Sequence, residues 1–297
     1  MSEYQHIPVM LNEVIELLNI KKGGTYFDGT LGGASYAREI SKRIGERGRL
    51  VVSDLDPMAI NNFLKDAPSN TIVINDNFAN LEDHLDSGIP PEFDGMVLDL
   101  GLSSAQLDDP ERGFSFRRSA PLDMSFGPQS ESDTYFIVNN YKQENLERII
   151  REYGEEPWAK KIAKNIIEQR RRKKIETVDE LVEIICSTIP KKFWSRKIHP
   201  ATKTFQALRM ETNKELENLQ KFLSISIPLL KKGGRLAIVS FHSLEDRIVK
   251  NFFRNLSREE KPLIKILTPK PLIPSEAELE KNHRSRSAKL RVIEKIV

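Results

Sequence analysis

The strongest constraint on this chain is a rhythm that runs through its first hundred or so residues. Strand-length apolar runs alternate with amphipathic stretches, and three of the first four runs end on an aspartate. Val9–Ile20 has Val14, Leu17 and Leu18 at helical spacing. Gly24–Phe27 reads as a strand ending at Asp28, and the turn Gly29–Gly33 leads into a helix through Ile44. Arg49–Ser53 is a second strand ending at Asp54, and Pro57 opens the next helix. Thr71–Ile74 is a third strand, Phe78–Leu85 a helix, and Phe93–Leu100 a fourth strand. Such alternation predicts βαβ units and a parallel sheet covered on both faces.

The rhythm breaks after Leu100. Gly101–Asp133 reads as loop, Thr134–Ser187 as several helices, and Pro190–Pro200 as a basic connection. Ala201–Leu230 reads as helix with an interruption near Pro228. The α/β pattern then resumes with strand Arg235–Ser240, helix Leu244–Asn255, strand Leu263–Leu267 and a last strand Ala288–Val297. The economical division is a core in two parts, residues 1–104 and 211–297, interrupted by a mostly helical substrate-recognition domain at 105–210.

Composition narrows the class. With 39% hydrophobic and 30% charged residues the chain has enough apolar material for a packed core and is not a disordered polyelectrolyte. No apolar run reaches the ~18 residues of a membrane span, and the first ten residues lack a basic region followed by an apolar core. Cys186 is the single cysteine, so an internal disulfide and a thiolate metal cluster are both excluded. The expectation is a reducing, cytoplasmic compartment. The histidines show no metal-ligand spacing, and no metal is expected. Net charge is only +3, yet residues 157–209 hold 14 Lys/Arg against 5 Asp/Glu. That local surplus suits either a polyanion surface, with nucleic acid the leading choice, or solvated helix faces.

Open parallel sheets bind ligands beyond the carboxyl ends of their strands. Asp28, Gly32-Gly33, Asp54, Asn77-Phe78 and Asp99 all fall at such ends. Glycines let the backbone approach a ligand closely, and an acid ending the second strand suits ribose hydroxyls. An adenosine-containing cofactor is therefore expected. The turn lacks the G-x-G-x-x-G spacing of a dinucleotide site, and no P-loop occurs. S-adenosylmethionine, with no phosphate, fits better: Asp28 or Asp99 toward its positive groups, Asp54 toward the ribose, Phe78 toward adenine. The alternative is that Gly32-Gly33 serve packing and Asp28 caps a helix.

More specific motifs run along the chain. They are His6–Glu13, Asp28–Gly33, Asp99–Ser104, Gln106–Phe116, Pro121–Met124, Tyr153–Glu156, His199–Arg209, Gly233–Arg247 and Arg284–Arg291. In this order they resemble the bacterial 16S ribosomal RNA cytosine-N4 methyltransferase family known as RsmH or MraW. The resemblance implies a class I, Rossmann-like α/β methyltransferase sheet with an inserted helical domain. It also implies S-adenosylmethionine as methyl donor and a decoding-region cytosine of 16S rRNA, within the small subunit or an assembly intermediate, as substrate. By motif, the cofactor contacts would be Ala34, Ser35, Tyr36, Asp54, Phe78, Asp99 and Gln106. One departure stands out: members usually read Gly-Gly-His where this chain has Ala34-Ser35-Tyr36. Contacts from backbone atoms would survive this change, and contacts from a histidine ring would not.

The residues also bear on the chemistry. Methylation at a pyrimidine carbon 5 needs a cysteine nucleophile, and Cys186 sits on an apolar helix face. Transfer to nitrogen or oxygen remains. The common Asp/Asn/Ser-Pro-Pro-aromatic motif is replaced by Asp99-Leu-Gly-Leu, so Asp99 itself and Ser103, Ser104, Asp108 and Asp109 on the following loop are the candidate amine acceptors, with Asp108 or Asp109 preferred. Both also read as turn formers before Pro110. His242, at a strand end, suits either a substrate contact or a structural hydrogen bond. For RNA, Lys160, Lys161, Lys164, residues 170–174 and 191–197 offer cations, and Phe114, Phe116, Phe193 and Trp194 offer planar groups. Two rival functions are a methyltransferase on another RNA or on protein, and a non-catalytic ribosome-assembly factor.

Overall fold

The computed structural model describes residues 8–116, 119–128 and 133–297. His6 and Ile7 of the first motif lie outside the described residues. The chain divides into two compact units, one running through Ser103 and resuming at Leu216–Val297, the other Ser104–Glu215.

The first unit is built on seven strands: β1 (Thr25–Asp28), β2 (Arg49–Ser53), β3 (Thr71–Ile74), β4 (Phe93–Asp99), β5 (Leu230–Ser240), β6 (Ile264–Ile266) and β7 (Lys289–Lys295). Their order is β3-β2-β1-β4-β5-β7-β6, with β1 to β5 parallel and β7 antiparallel to both neighbours. Successive residues of a strand point to opposite faces. Accordingly Tyr26, Leu50, Val52, Val97, Ala237 and Val239 pack under α1 (Leu11–Leu18), α2 (Ser35–Ile44) and α3 (Pro57–Leu64). Phe27, Val51, Met96, Leu98, Leu236 and Ile238 pack on the other face, with residues of the helices Glu215–Leu229 and Ser243–Ser257. The fold class is the expected one, and the strand order reverses between β1 and β4, where the ends Asp28 and Asp99 sit.

The second unit is helical: α4 (Ser104–Asp108), α5 (Thr134–Asn140), α6 (Gln143–Glu152), α7 (Ala159–Arg170), α8 (Val178–Thr188) and α9 (Thr202–Thr212). Its core holds Ile137, Val138, Leu146, Ile149, Ile150, Ile162, Ile166, Leu181, Ile185 and Leu208, all fully buried. Thr177 and Glu180 form a reciprocal capping box that starts α8.

Several details differ from the sequence expectation. Phe78–Ser87 is a 3-10 helix, held at its start by the Asn77 side chain, which accepts from the Ala79 amide. The break in the long helical stretch falls at Asn213-Lys214, where Lys214 is left-handed with φ 48°. Pro228 lies inside α10 (Glu215–Leu229) near its end, where little of the helix remains to be disrupted. Strand β5 begins at Leu230, and a register shift carries it over 231–234. Besides α11 (Ser243–Ser257), a further α-helix, α12 (Glu276–Lys281), follows β6. Its sequence has no apolar periodicity, and only the cap Ser275, which accepts from the Glu278 amide, marks it.

Candidate active site

The carboxyl ends of β1, β2 and β4 are stitched together by the turn after β1. The Gly29 amide donates to the Val97 carbonyl at 3.1 Å and the Leu31 amide to the Ser53 carbonyl at 3.2 Å. Thr30 Oγ1 accepts from the Asp99 amide at 2.6 Å. Asp54 accepts from the Gly32 amide and the Asp56 amide, both at 2.8 Å. Gly29 has no room for a side chain: a Cβ there would lie 2.5 Å from Leu98 Cδ2 and 2.8 Å from Phe78 Cβ. Asp28, Asp54, Phe78 and Asp99 are thus gathered at one end of the sheet.

The electrostatics of this end are unusual. Asp28 is fully buried and accepts from the Thr30 amide through Oδ1 at 3.2 Å, but Oδ2 has no hydrogen-bond partner. Burial pushes its carboxyl up to about 8, and the charge of Asp54 adds to the rise. Asp99 Oδ1 is likewise buried without a partner, and burial pushes Asp99 well above the usual carboxylate range, with Asp28, Glu245 and Glu278 reinforcing it. Two carboxyls with buried, orphaned oxygens suit a positive ligand, against which they can ionise. The sulfonium and amino groups of S-adenosylmethionine provide that charge, so the residues fit the expected cofactor.

Phe78 sits half-buried and edge-on to Phe222, with ring centroids 5.5 Å apart. Its turn is fixed by Asp76, which accepts from the Asn77 amide at 2.6 Å, Asn80 Nδ2 at 3.0 Å and pairs with His84 Nε2 at 2.9 Å.

The departure at 34–36 has a structural account. Ala34 takes a left-handed conformation, φ 61°, immediately before α2. Tyr36 is buried in the core beneath α1, where its hydroxyl donates to the Val9 carbonyl and feels the carboxyls of Asp99 and Asp28. Sequence reasoning missed Glu278, whose Oε1 accepts from the left-handed Met10 amide at 2.8 Å. Burial raises its carboxyl, and Glu13 adds to the rise. The Ser275-x-x-Glu278 cap was the available signal.

The remaining sequence candidates divide sharply. His242 caps α11: its Nδ1 accepts from the Glu245 amide at 3.3 Å, while Glu245 Oε2 accepts from the Phe241 amide at 2.8 Å. Nδ1 thus has the structural role, while Nε2 is buried without a hydrogen-bond partner, 3.2 Å from Glu245 Oε1. Asp246 and Arg291, from two of the motifs, form a buried pair at 2.6 Å that ties α11 to β7. In the second unit Gln106 is buried on α4 and Asp108 is exposed. Asp109 Oδ1 accepts from the Glu111 amide at 2.9 Å, as a turn former does. Phe114 is buried, and Phe116 packs edge-on against Phe205 at 4.7 Å, so neither ring is a free platform. Arg170 donates to the carbonyls of Val138 and Tyr141, each at 2.7 Å, and is structural. Arg171, Arg172 and residues 191–199 are exposed. Burial raises the Cys186 thiol, which keeps it from being a ready nucleophile.

Comparison with known proteins adds an independent finding. Residues 3–296 match the model of a family described as the MraW methylase family. Curated relatives named ribosomal RNA small subunit methyltransferase H are 46% identical in Clostridium botulinum (strain 657) and 44% in Clostridioides difficile, each alignment covering 99% of this chain and 100% of the relative. A relative of the same name in Finegoldia magna is 45% identical over the same shares.

Proposed function

We propose, from the premise that this chain belongs to the MraW methylase family, that it methylates N4 of a cytosine in the decoding region of 16S ribosomal RNA with S-adenosylmethionine as donor. The full-length likeness to relatives named small subunit rRNA methyltransferases supports the substrate. The observation that carries the cofactor is the pair of carboxyls, Asp28 and Asp99, each with a buried oxygen lacking a partner. When bound, S-adenosylmethionine supplies an electrophilic methyl group on a sulfonium.

The chain's own residues supply binding and orientation. Asp28 and Asp99, which burial favours in the protonated form, ionise against the donor's positive groups, and Asp54 offers acceptors to ribose hydroxyls. Phe78 presents an aromatic edge for adenine. The backbone of Ala34, Ser35 and Tyr36 supplies polar groups at the start of α2, and Gln106 an amide. Cytosine N4 is a weak nucleophile because its lone pair is shared with the ring. Asp108 or Asp109, accepting from the amine, would hold it for in-line attack. No base is required of the chain, since the methylated amine is acidic enough to give its proton to water. A paired cytosine would have to be flipped, so an open or partly assembled small subunit in the cytoplasm is the substrate we favour. The full-length likeness to relatives named as rRNA methyltransferases disfavours the non-catalytic reading.

The test is methyl transfer from labelled S-adenosylmethionine to small subunits from cells lacking this protein, followed by nucleoside analysis. Label in N4-methylcytidine is expected. Label in 5-methylcytidine, or in ribosomal protein, overturns the reading.

A further inference from the structure

One surface of the second unit is unlike the rest of it. Residues 191–199 are exposed without interruption, and from Ser187 to Met210 the sequence contains no acidic residue. Within that stretch Lys191, Lys192, Arg196 and Lys197 make no ion pair among the described residues. The segment is nevertheless held in shape. The Phe193 amide donates to the Pro190 carbonyl at 2.9 Å and the Trp194 amide to Lys191 at 3.1 Å. Trp194 Nε1 donates to the Ile189 carbonyl at 2.8 Å, which turns its indole back onto the chain.

Phe193 is therefore the ring left presented, 57% exposed despite being a large apolar side chain. It is braced rather than loose: its centroid lies 5.3 Å from that of Trp158, at the start of α7, with the rings tilted by 51°. An ammonium stands over each ring, Lys192 Nζ 5.1 Å from the Phe193 centroid and Lys161 Nζ 4.6 Å from that of Trp158. The nearby Glu156 is buried and accepts from the Trp158 amide, so it does not neutralise the surface. A rigid aromatic face ringed by unpaired cations is complementary to one chemistry in particular, an unstacked nucleobase flanked by phosphates.

We propose that Phe193, braced by Trp158, is a stacking platform for an unpaired base of the RNA substrate, with Lys191, Lys192, Arg196 and Lys197 holding the adjoining phosphates. The proposal rests on the RNA reading above and adds a binding site to it. Stacking on a phenyl ring is tolerant of base identity, so the platform grips single-stranded RNA without reading its sequence.

The experiment measures binding of the full-length protein to a fluorescein-labelled, unstructured RNA of ~12 nucleotides, across a range of salt. Phe193→Ala should bind about tenfold more weakly with an unchanged salt slope, and Phe193→Tyr within about twofold of wild type. Replacing the four cations with alanine should instead flatten the slope by about 2 to 3. In a Trp194→Phe background Trp158 is the one remaining tryptophan, and its emission should change on RNA addition. Thermal unfolding of each variant, expected to match wild type, confirms that the fold is intact. If wild type methylates small subunits and Phe193→Ala binds RNA as wild type does, the platform is wrong and the function stands. If wild type neither binds RNA nor methylates the subunit, both fall. Displacement of the RNA by polyglutamate as readily as by polyuridine reassigns the surface to an acidic protein and overturns the proposal.

Discussion

Because Asp28 is buried with an unpartnered oxygen and pushed up to about 8, the folded protein holds a proton there that the unfolded chain gives up near 3.8. The native state then binds more protons than the unfolded state between those values, so stability falls as pH rises through that window. Asp76, Asp94 and Asp246 act oppositely: burial pushes each up, but hydrogen bonds and cations outweigh it and hold them low. Their contribution is lost only as pH falls below about 4. The ligand-free protein should therefore lose several degrees of Tm between pH 5 and 8.5 (about this window), and Asp28→Asn should flatten the curve. Parallel curves for the two proteins would contradict this. Tyr36→Phe removes the donor to the Val9 carbonyl and should cost about 1–3 kcal/mol in urea unfolding, with S-adenosylmethionine affinity within about twofold. A large loss of affinity at unchanged stability would return Tyr36 to the ligand. At this scale Asp28, Asp54, Phe78 and Asp99 were legible because strand ends are fixed by period and turn. The direction of Tyr36 and the reach of Glu278 to Met10 were not, because both depend on contacts between segments distant in sequence.

Among the elements, α7 separates stability from binding within three neighbouring arginines. Arg170 closes the end of α5 through the Val138 and Tyr141 carbonyls, whereas Arg171 and Arg172 face solvent. Arg170→Ala should destabilise the protein by about 2 kcal/mol. The Arg171→Ala, Arg172→Ala double variant should leave stability within about 0.5 kcal/mol and lower the RNA salt slope by about 1.4. Equal destabilisation by both variants, with no change in salt slope, would remove 171 and 172 from the RNA surface. Most strands were readable almost to the residue because β-branched runs are short and bounded; β5, which starts at Leu230 rather than Arg235, was the exception. Helix ends were less so. The break at Asn213 depends on its side chain, which donates to the Met124 carbonyl and accepts from the Phe126 amide, contacts no local pattern announces. Pro228 carried a strong breaking signal, but near the end of a helix that signal has little to break.

For the molecule as a whole, charge is divided as labour is. The second unit carries the basic surplus, while the sheet end of the first concentrates carboxyls that repel one another. Carboxyls that burial keeps protonated are costly to a fold near neutral pH until a ligand of opposite sign lets them ionise, and functional sites often hold such strain. The alternating sheet, its helical interruption and the acidic strand ends could all be read from sequence, since they follow from period and from residue type at turns. The raised Asp28 and Asp99 carboxyls could not, because burial and proximity exist only once β1 and β4 pair. The central claim is that this end of the sheet binds a cationic adenosyl donor, and calorimetric titration of S-adenosylmethionine into wild type and Asp99→Asn tests it most directly. Wild type should bind one equivalent, and the folded variant at least about tenfold more weakly. Equal binding by the two proteins, or no binding by wild type, would contradict it.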